Sequence, residues 1–198
     1  MATDDAAKVR TAGVSVTALV ALVTVALAVY VFDQVTKYLV VENLPLGESV
    51  EVVGTLLQYF FVKNPGAAFS LASGSTWIFS VAASAVTVFI IFFARRIRST
   101  GWAIVFGMLL GGTTGNLTDR LFREPSFGLG HVIDFIQVAG FPAVFNIADS
   151  FIVASMGLFI ILTVRGVGLD GSRTPHGGAS ASVATPAEPG LDDDRPSR

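Results

Sequence analysis

Five short polar clusters in this chain have the residue types and spacing to do chemistry. Asp33 and Lys37 stand four apart, Asn116, Asp119 and Arg120 three and four apart, and Asn146 and Asp149 three apart, so each set shares a helix face. Asn64-Pro65-Gly66 has the composition of a turn. Asp134 lies in His131-Val132-Ile133-Asp134-Phe135, a carboxylate in apolar company. Two carboxyls held close together cannot both ionise cheaply, so one keeps a proton while the other can take one from water. Asp134 and Asp149 suit that role best: each is flanked by apolar residues, and neither has a lysine or arginine within a helical turn. Either could instead cap a helix. Asp33 with Lys37, and Asp119 with Arg120 or Arg123, read more simply as structural ion pairs.

Other chemistries fit the residues less well. The chain has no cysteine, which excludes thiolate catalysis, disulfides and cysteine-ligated metals. Its two histidines are His131 and His176, and His-Glu-x-x-His is absent, so no ordinary zinc site is expected. A serine mechanism built on Ser150, His131 and Asp134 is conceivable in composition, but a serine at the start of a helix is more often structural. A Ser–Lys dyad would need a buried lysine, and none is expected.

These clusters need elements to position them, and the composition points to a membrane. Of 198 residues, 52% are hydrophobic and 14% charged, where a soluble chain carries about a quarter charged residues. Four stretches can cross a bilayer, at about 14–32, 77–94, 102–118 and 145–164, given roughly 20 residues per crossing. The fourth reaches that length only by including Asn146, Asp149 and Ser150. Asp149 then lies roughly 24 Å along the helix from Arg165, near one edge, where a charge costs less than at the centre. Lys8 and Arg10, then Arg95, Arg96 and Arg98, then Arg165 and Arg173 fall on one side, which the positive-inside rule makes cytoplasmic. Both termini are therefore expected inside, with loops 33–76 and 118–144 outside. All the clusters then meet at the outer membrane edge.

A competing reading takes Lys8, Arg10, the first apolar run and Ala26-Leu27-Ala28 as a cleavable secretory signal, but the run continues through Phe32 and cleavage would upset the charge bias. Within the first outer loop, the segment 45–70 is rich in β-branched and aromatic residues around Gly54, so a small extracytoplasmic sheet is expected. Residues 1–166 form one expected membrane domain. The Gly-, Ser-, Pro- and Asp-rich segment 167–198 reads as a disordered cytoplasmic tail. Gly111-Gly112-Thr113-Thr114-Gly115 reads as a close-packing stretch, and Phe79, Phe89, Phe92 and Phe93 as lipid-facing or core residues.

Taken in order, Asp33-Gln34-Val35-Thr36-Lys37, Lys63-Asn64-Pro65-Gly66-Ala67-Ala68-Phe69, Gly115-Asn116-Leu117-Thr118-Asp119-Arg120, His131 to Phe135, and Phe145-Asn146-Ile147-Ala148-Asp149-Ser150 resemble the lipoprotein signal peptidase (signal peptidase II) family. The resemblance covers about residues 14–164. It implies an all-α integral membrane fold of four transmembrane helices with a small extracytoplasmic β-sheet cradle, and an aspartic endopeptidase with no cofactor. Such an enzyme cleaves signal peptides from prolipoproteins just before a cysteine that carries diacylglycerol, and is inhibited by the cyclic peptide globomycin. By motif, Asp134 and Asp149 match the catalytic aspartates. Asn64, Gly66, Asn116, Asp119, Arg120, Asn146, Asp33 and Lys37 match residues that bind substrate or support the pair. One departure is that Ala143 and Val144 stand between Pro142 and Phe145, where one residue is usual.

The implied setting is a bacterial cytoplasmic (inner) membrane, crossed several times. The implied partners are lipid-modified prolipoproteins and membrane lipids, with no nucleic acid, and a monomer is expected. The rival from another class is a small proton- or cation-coupled membrane transporter, which would place acids near mid-span. Here the mid-span positions are apolar. A membrane scaffold without catalysis would leave the meeting of carboxylates a coincidence.

Overall fold

The computed structural model describes residues 14–66 and 76–173. Lys8, Arg10, Ala67 to Phe69 and the tail beyond Arg173 lie outside the described residues. Helix α1 spans Val16–Asn43, strands β1 and β2 span Ser49–Val53 and Leu57–Asn64, and α2 spans Thr76–Phe93 with a 3-10 turn at Ala94–Arg96. Helix α3 spans Thr100–Phe122, β3 spans Val132–Val138 and α4 spans Ile147–Val164.

Three of these helices, α1, α2 with its 3-10 turn, and α4, are long and apolar enough to cross a membrane, with mean hydropathies of 2.2, 2.3 and 2.2. Most of their large apolar side chains point outward, the reverse of a water-soluble bundle. The expectation of four such spans is thus met by three on hydropathy. The remaining helix, α3, is diluted by its glycines, threonines and polar end. Those residues are spent on contacts, because α3 packs against all three of the other helices. A methyl on Gly111 would fall 2.5 Å from the Ala26 carbonyl oxygen, and one on Gly112 would fall 2.7 Å from that of Ala148. The glycine stretch therefore lets α1 and α4 approach α3 from two sides, the usual role of small residues between membrane helices.

Helix α1 runs well past its expected end at Phe32. Ser15 caps it by accepting from the Ala18 N–H, and it stops at Leu44, which is extended because Pro45 follows. At 28 residues it is about 42 Å long, more than a bilayer core needs. The surplus turns carry Asp33 and Lys37 and reach the sheet, where Val40 packs with Phe61, Ile133 and Phe135.

The sheet is antiparallel in the order β1-β2-β3. Its first two strands fall in the segment 45–70, where a small sheet was expected. Its third was expected as loop: the strand Val132–Val138 comes from between α3 and α4, so Asp134 stands on a strand beside β2. Short apolar alternation is weak evidence for a strand until a partner is known. After β3 the chain turns and Phe145 bridges back to Ile136, the Ile136 N–H donating to the Phe145 carbonyl at 2.7 Å. That bridge sets the path into α4. The extra residue among Ala143 and Val144 is taken up in the loop before it.

Candidate active site

Asn146 starts α4 with a capping box: its Oδ1 accepts from the Asp149 N–H at 2.9 Å, and the Asp149 carboxylate accepts from the Asn146 N–H at 3.3 Å. With Oδ1 so committed, Nδ2 must donate, and it does so to Asp134 Oδ1 at 2.7 Å and Asn116 Oδ1 at 3.0 Å. Asn64 is oriented in the same way. Its Oδ1 accepts from the Gly66 N–H at 2.8 Å, which leaves Nδ2 to donate to Asp134 Oδ2 at 2.7 Å. Gly66 has φ +98, so the turn that presents this N–H favours glycine. Asn116 Oδ1 accepts from Lys37 Nζ at 2.8 Å, and its Nδ2 donates to Asp149 Oδ1 at 2.8 Å. Three amides, each locked by a second bond, therefore tie the two aspartates into one network drawn from β2, α3, β3 and α4.

A second network lies alongside. Lys37 Nζ is 2.8 Å from Asp33 Oδ2, 2.8 Å from Asp119 Oδ2 and 2.8 Å from Asn116 Oδ1, so all three of its donors are used. Asp33 Oδ1 also accepts from the Ala148 N–H at 2.9 Å, and Asp119 accepts from the Ile133 N–H at 3.2 Å. These acids thus hold the first turn of α4 and the strand that bears Asp134. The open choice of partner for Asp119 falls to Arg123, whose Nε lies 2.6 Å away. Lys37, Asp33 and Asp119 are fully buried. No buried lysine was expected, so Lys37 is a correction. Its three oxygen partners leave it no part in a Ser–Lys dyad.

Asp134 and Asp149 pair with no lysine or arginine among the described residues. Asp134 is 2% exposed, and burial pushes its carboxyl up to about 6; the bond from Asn64 opposes this, and the charge of nearby Asp149 adds to it. Both acids line a cavity of about 570 Å³ with Asn64, Ser150 and an apolar wall that includes Phe141, Ala143 and Val153. His131 lines a different cavity, with Lys63, Arg123 and Glu124, and the Ser150 hydroxyl donates to the Asn146 carbonyl at 3.0 Å. The serine constellation is therefore not assembled.

Arg120 stands apart from the acids it was grouped with. Its guanidinium lies over the Phe79 ring at 5.2 Å, and its buried Nη1 has no hydrogen-bond partner among the described residues. Phe79, expected to be an ordinary apolar residue, is the member of this neighbourhood that sequence reasoning missed. Its only signal was its spacing from Thr76 and Ser80 on α2.

Comparison with known proteins places this arrangement. The family model for signal peptidase (SPase) II matches residues 25–165. A protein of Leifsonia xyli subsp. xyli described as lipoprotein signal peptidase is 64% identical over 173 residues, covering 87% of this chain and 80% of that protein. One from Mycolicibacterium smegmatis with the same description is 43% identical over 171 residues, covering 83% and 72%. A bacterial membrane enzyme solved by the in meso method at 1.9 Å superposes with a TM-score of 0.65 at 28% identity, covering 77% of this chain and 97% of that one.

Proposed function

The chain belongs to the signal peptidase II family, and on that premise we propose that it is an aspartic endopeptidase in which Asp134 and Asp149 are the catalytic pair. It is a bacterial membrane protein that removes signal peptides from lipoproteins. The finer reading is that its substrate is a diacylglyceryl-modified prolipoprotein, cut on the amino side of the lipidated cysteine. The observation that carries the pair is its environment: two neighbouring carboxylates bonded to amides and facing a cavity, with no lysine or arginine paired to either among the described residues.

The two acids divide the labour by environment. Asp134 is the deeper, and its raised proton affinity suits it to the role of proton donor. Asp149 sits in the first turn of α4, where it accepts from the Asn146 N–H and the Asn116 amide. A water bound between them gives a proton to Asp149 and attacks the scissile carbonyl carbon, while Asp134 gives its proton to the carbonyl oxygen. The C–N bond then breaks. Asp149 returns its proton to the leaving amine of the cysteine, and Asp134 regains one from a hydroxyl of the tetrahedral carbon. The oriented amides hold both acids through the cycle without reorganising.

The charge bias supports a site at the outer face with both termini inside, and the acyl chains would stay in the bilayer as the peptide enters from the side. A monomer holds every group named here. The test is processing of a purified diacylglyceryl-modified precursor, read as a gel shift. Wild-type protein is expected to convert it, and Asp134→Asn and Asp149→Asn to leave it intact. Conversion by either variant near the wild-type rate sinks the pair.

A further inference from the structure

Arg120 carries a positive charge at the edge of the site, yet it reaches no carboxylate within ion-pair distance among the described residues. What it does contact is the face of Phe79, 5.2 Å from the ring centroid. The turn at Gly66 closes on both: a methyl there would fall 2.6 Å from Phe79 Cδ2 and 3.2 Å from Arg120 Nη1. Gly66 is also the residue whose N–H fixes Asn64 against Asp134, so this three-way contact adjoins the catalytic network.

The ring is itself held in place. Thr76, Phe79 and Ser80 lie on one face of the first turns of α2. The Thr76 hydroxyl donates to the Pro65 carbonyl at 2.8 Å and the Ser80 hydroxyl to the Gly128 carbonyl at 2.6 Å, and both residues are buried. Helix α2 is thus stapled to the loop before it and to the loop after α3, with Phe79 between the staples. A buried guanidinium N–H without an acceptor is costly, and a backbone carbonyl brought in by a bound peptide would satisfy it.

We propose that Phe79 is a positioning residue: through the face of its ring it holds the Arg120 guanidinium ready for a carbonyl of the substrate backbone. This rests on the peptidase reading above. A ring face attracts a planar cation over a narrow range of orientations, which an aliphatic side chain of similar size does not do.

The test measures steady-state processing of the lipidated precursor by wild type, Phe79→Leu, Phe79→Tyr, Arg120→Lys and the Phe79→Leu/Arg120→Lys double variant. Phe79→Leu is expected to raise KM roughly five- to tenfold with kcat within about twofold, the pattern of lost uniform binding. Phe79→Tyr is expected to stay within about twofold of wild type, and in the Arg120→Lys background Phe79→Leu should cost less than twofold. If Phe79→Leu does not fold, Phe79→Met takes its place. Equal impairment of the Tyr and Leu variants, or the same Leu penalty in both backgrounds, overturns the proposal and leaves the peptidase reading intact. A wild-type protein that does not process the precursor overturns both.

Discussion

Two carboxylate pairs lie side by side in this bundle, joined through Asn116, and they differ in what surrounds them. Asp33 and Asp119 share the ammonium of Lys37, and Asp119 adds Arg123. Asp134 and Asp149 share asparagines. A cation beside a buried acid fixes it as an anion, and breaking such a pair is costly because the survivor is left charged and alone. Amide donors hold an acid in place without supplying a compensating charge, so its proton stays exchangeable. The cation-bound pair is therefore scaffold: Asp33 grips the turn that carries Asp149, and Asp119 grips the strand that carries Asp134. The amide-bound pair is the one proposed for chemistry, and Asn116 joins the two systems by accepting from Lys37 while donating to Asp149.

The sharpest way to break this contrast is to neutralise one group in each network. Asp149→Asn should lower kcat by at least about 1000-fold, a barrier increase of about 4 kcal/mol, while the unfolding midpoint in detergent stays near wild type. Lys37→Met should do the opposite in kind. It leaves Asp33 without a cation and Asp119 with Arg123 alone, and denaturant titration should show a loss of about 3–5 kcal/mol. If Lys37→Met is as stable as wild type, the second pair is not the scaffold described.

A subtler separation uses pH. The Asp134 carboxyl in the fold titrates near 6, against an ordinary value of 3.8. Below about pH 4 both folded and unfolded chains hold that proton. Between 4 and 6 only the fold does, so stability falls as pH rises through this window and levels off above it. Asp134→Asn removes the dependence and should gain on wild type by about 3 kcal/mol at neutral pH, since each pH unit is worth about 1.4 kcal/mol. In the wild type, kcat/KM should decline with rising pH at an apparent value at or above about 6, as the proton-donating form is lost. A profile flat from pH 5 to 8 would remove Asp134 from that role. The smallest expected effect tests the fit between the pairs. A methyl at Gly115 would fall 2.5 Å from Asp33 Oδ2, so Gly115→Ala should cost about 1–3 kcal/mol through displacement of Asp33.

Much of the site was legible before any coordinates. Asp33 and Lys37, four apart on a helix, could be paired by spacing alone, and so could Asn146 and Asp149, three apart at a helix start. Both are local relations fixed by helical geometry. The third strand was not legible, because residues 132–138 acquire a ladder only when β2 lies beside them. Nor was the burial of Lys37: three oxygens from two helices had to converge on it, and only one of them, on Asp33, is near in sequence. Phe79 was hidden for the same reason, since an aromatic on an apolar helix reads as packing until the cation over its ring is located.

By itself the sequence determined the medium, the apolar helices and the composition of the site, because hydropathy, helical periodicity and residue chemistry are properties of short segments. Tertiary structure decided the roles. Which amides meet an acid depends on side chains 12 to 70 positions apart, from Asn146 with Asp134 to Asn64 with Asp134, and Asp119 on α3 meets the ammonium of Lys37 from α1. The same carboxyl group is a strut or, in the pair proposed for catalysis, a proton carrier according to the partner that packing brings to it.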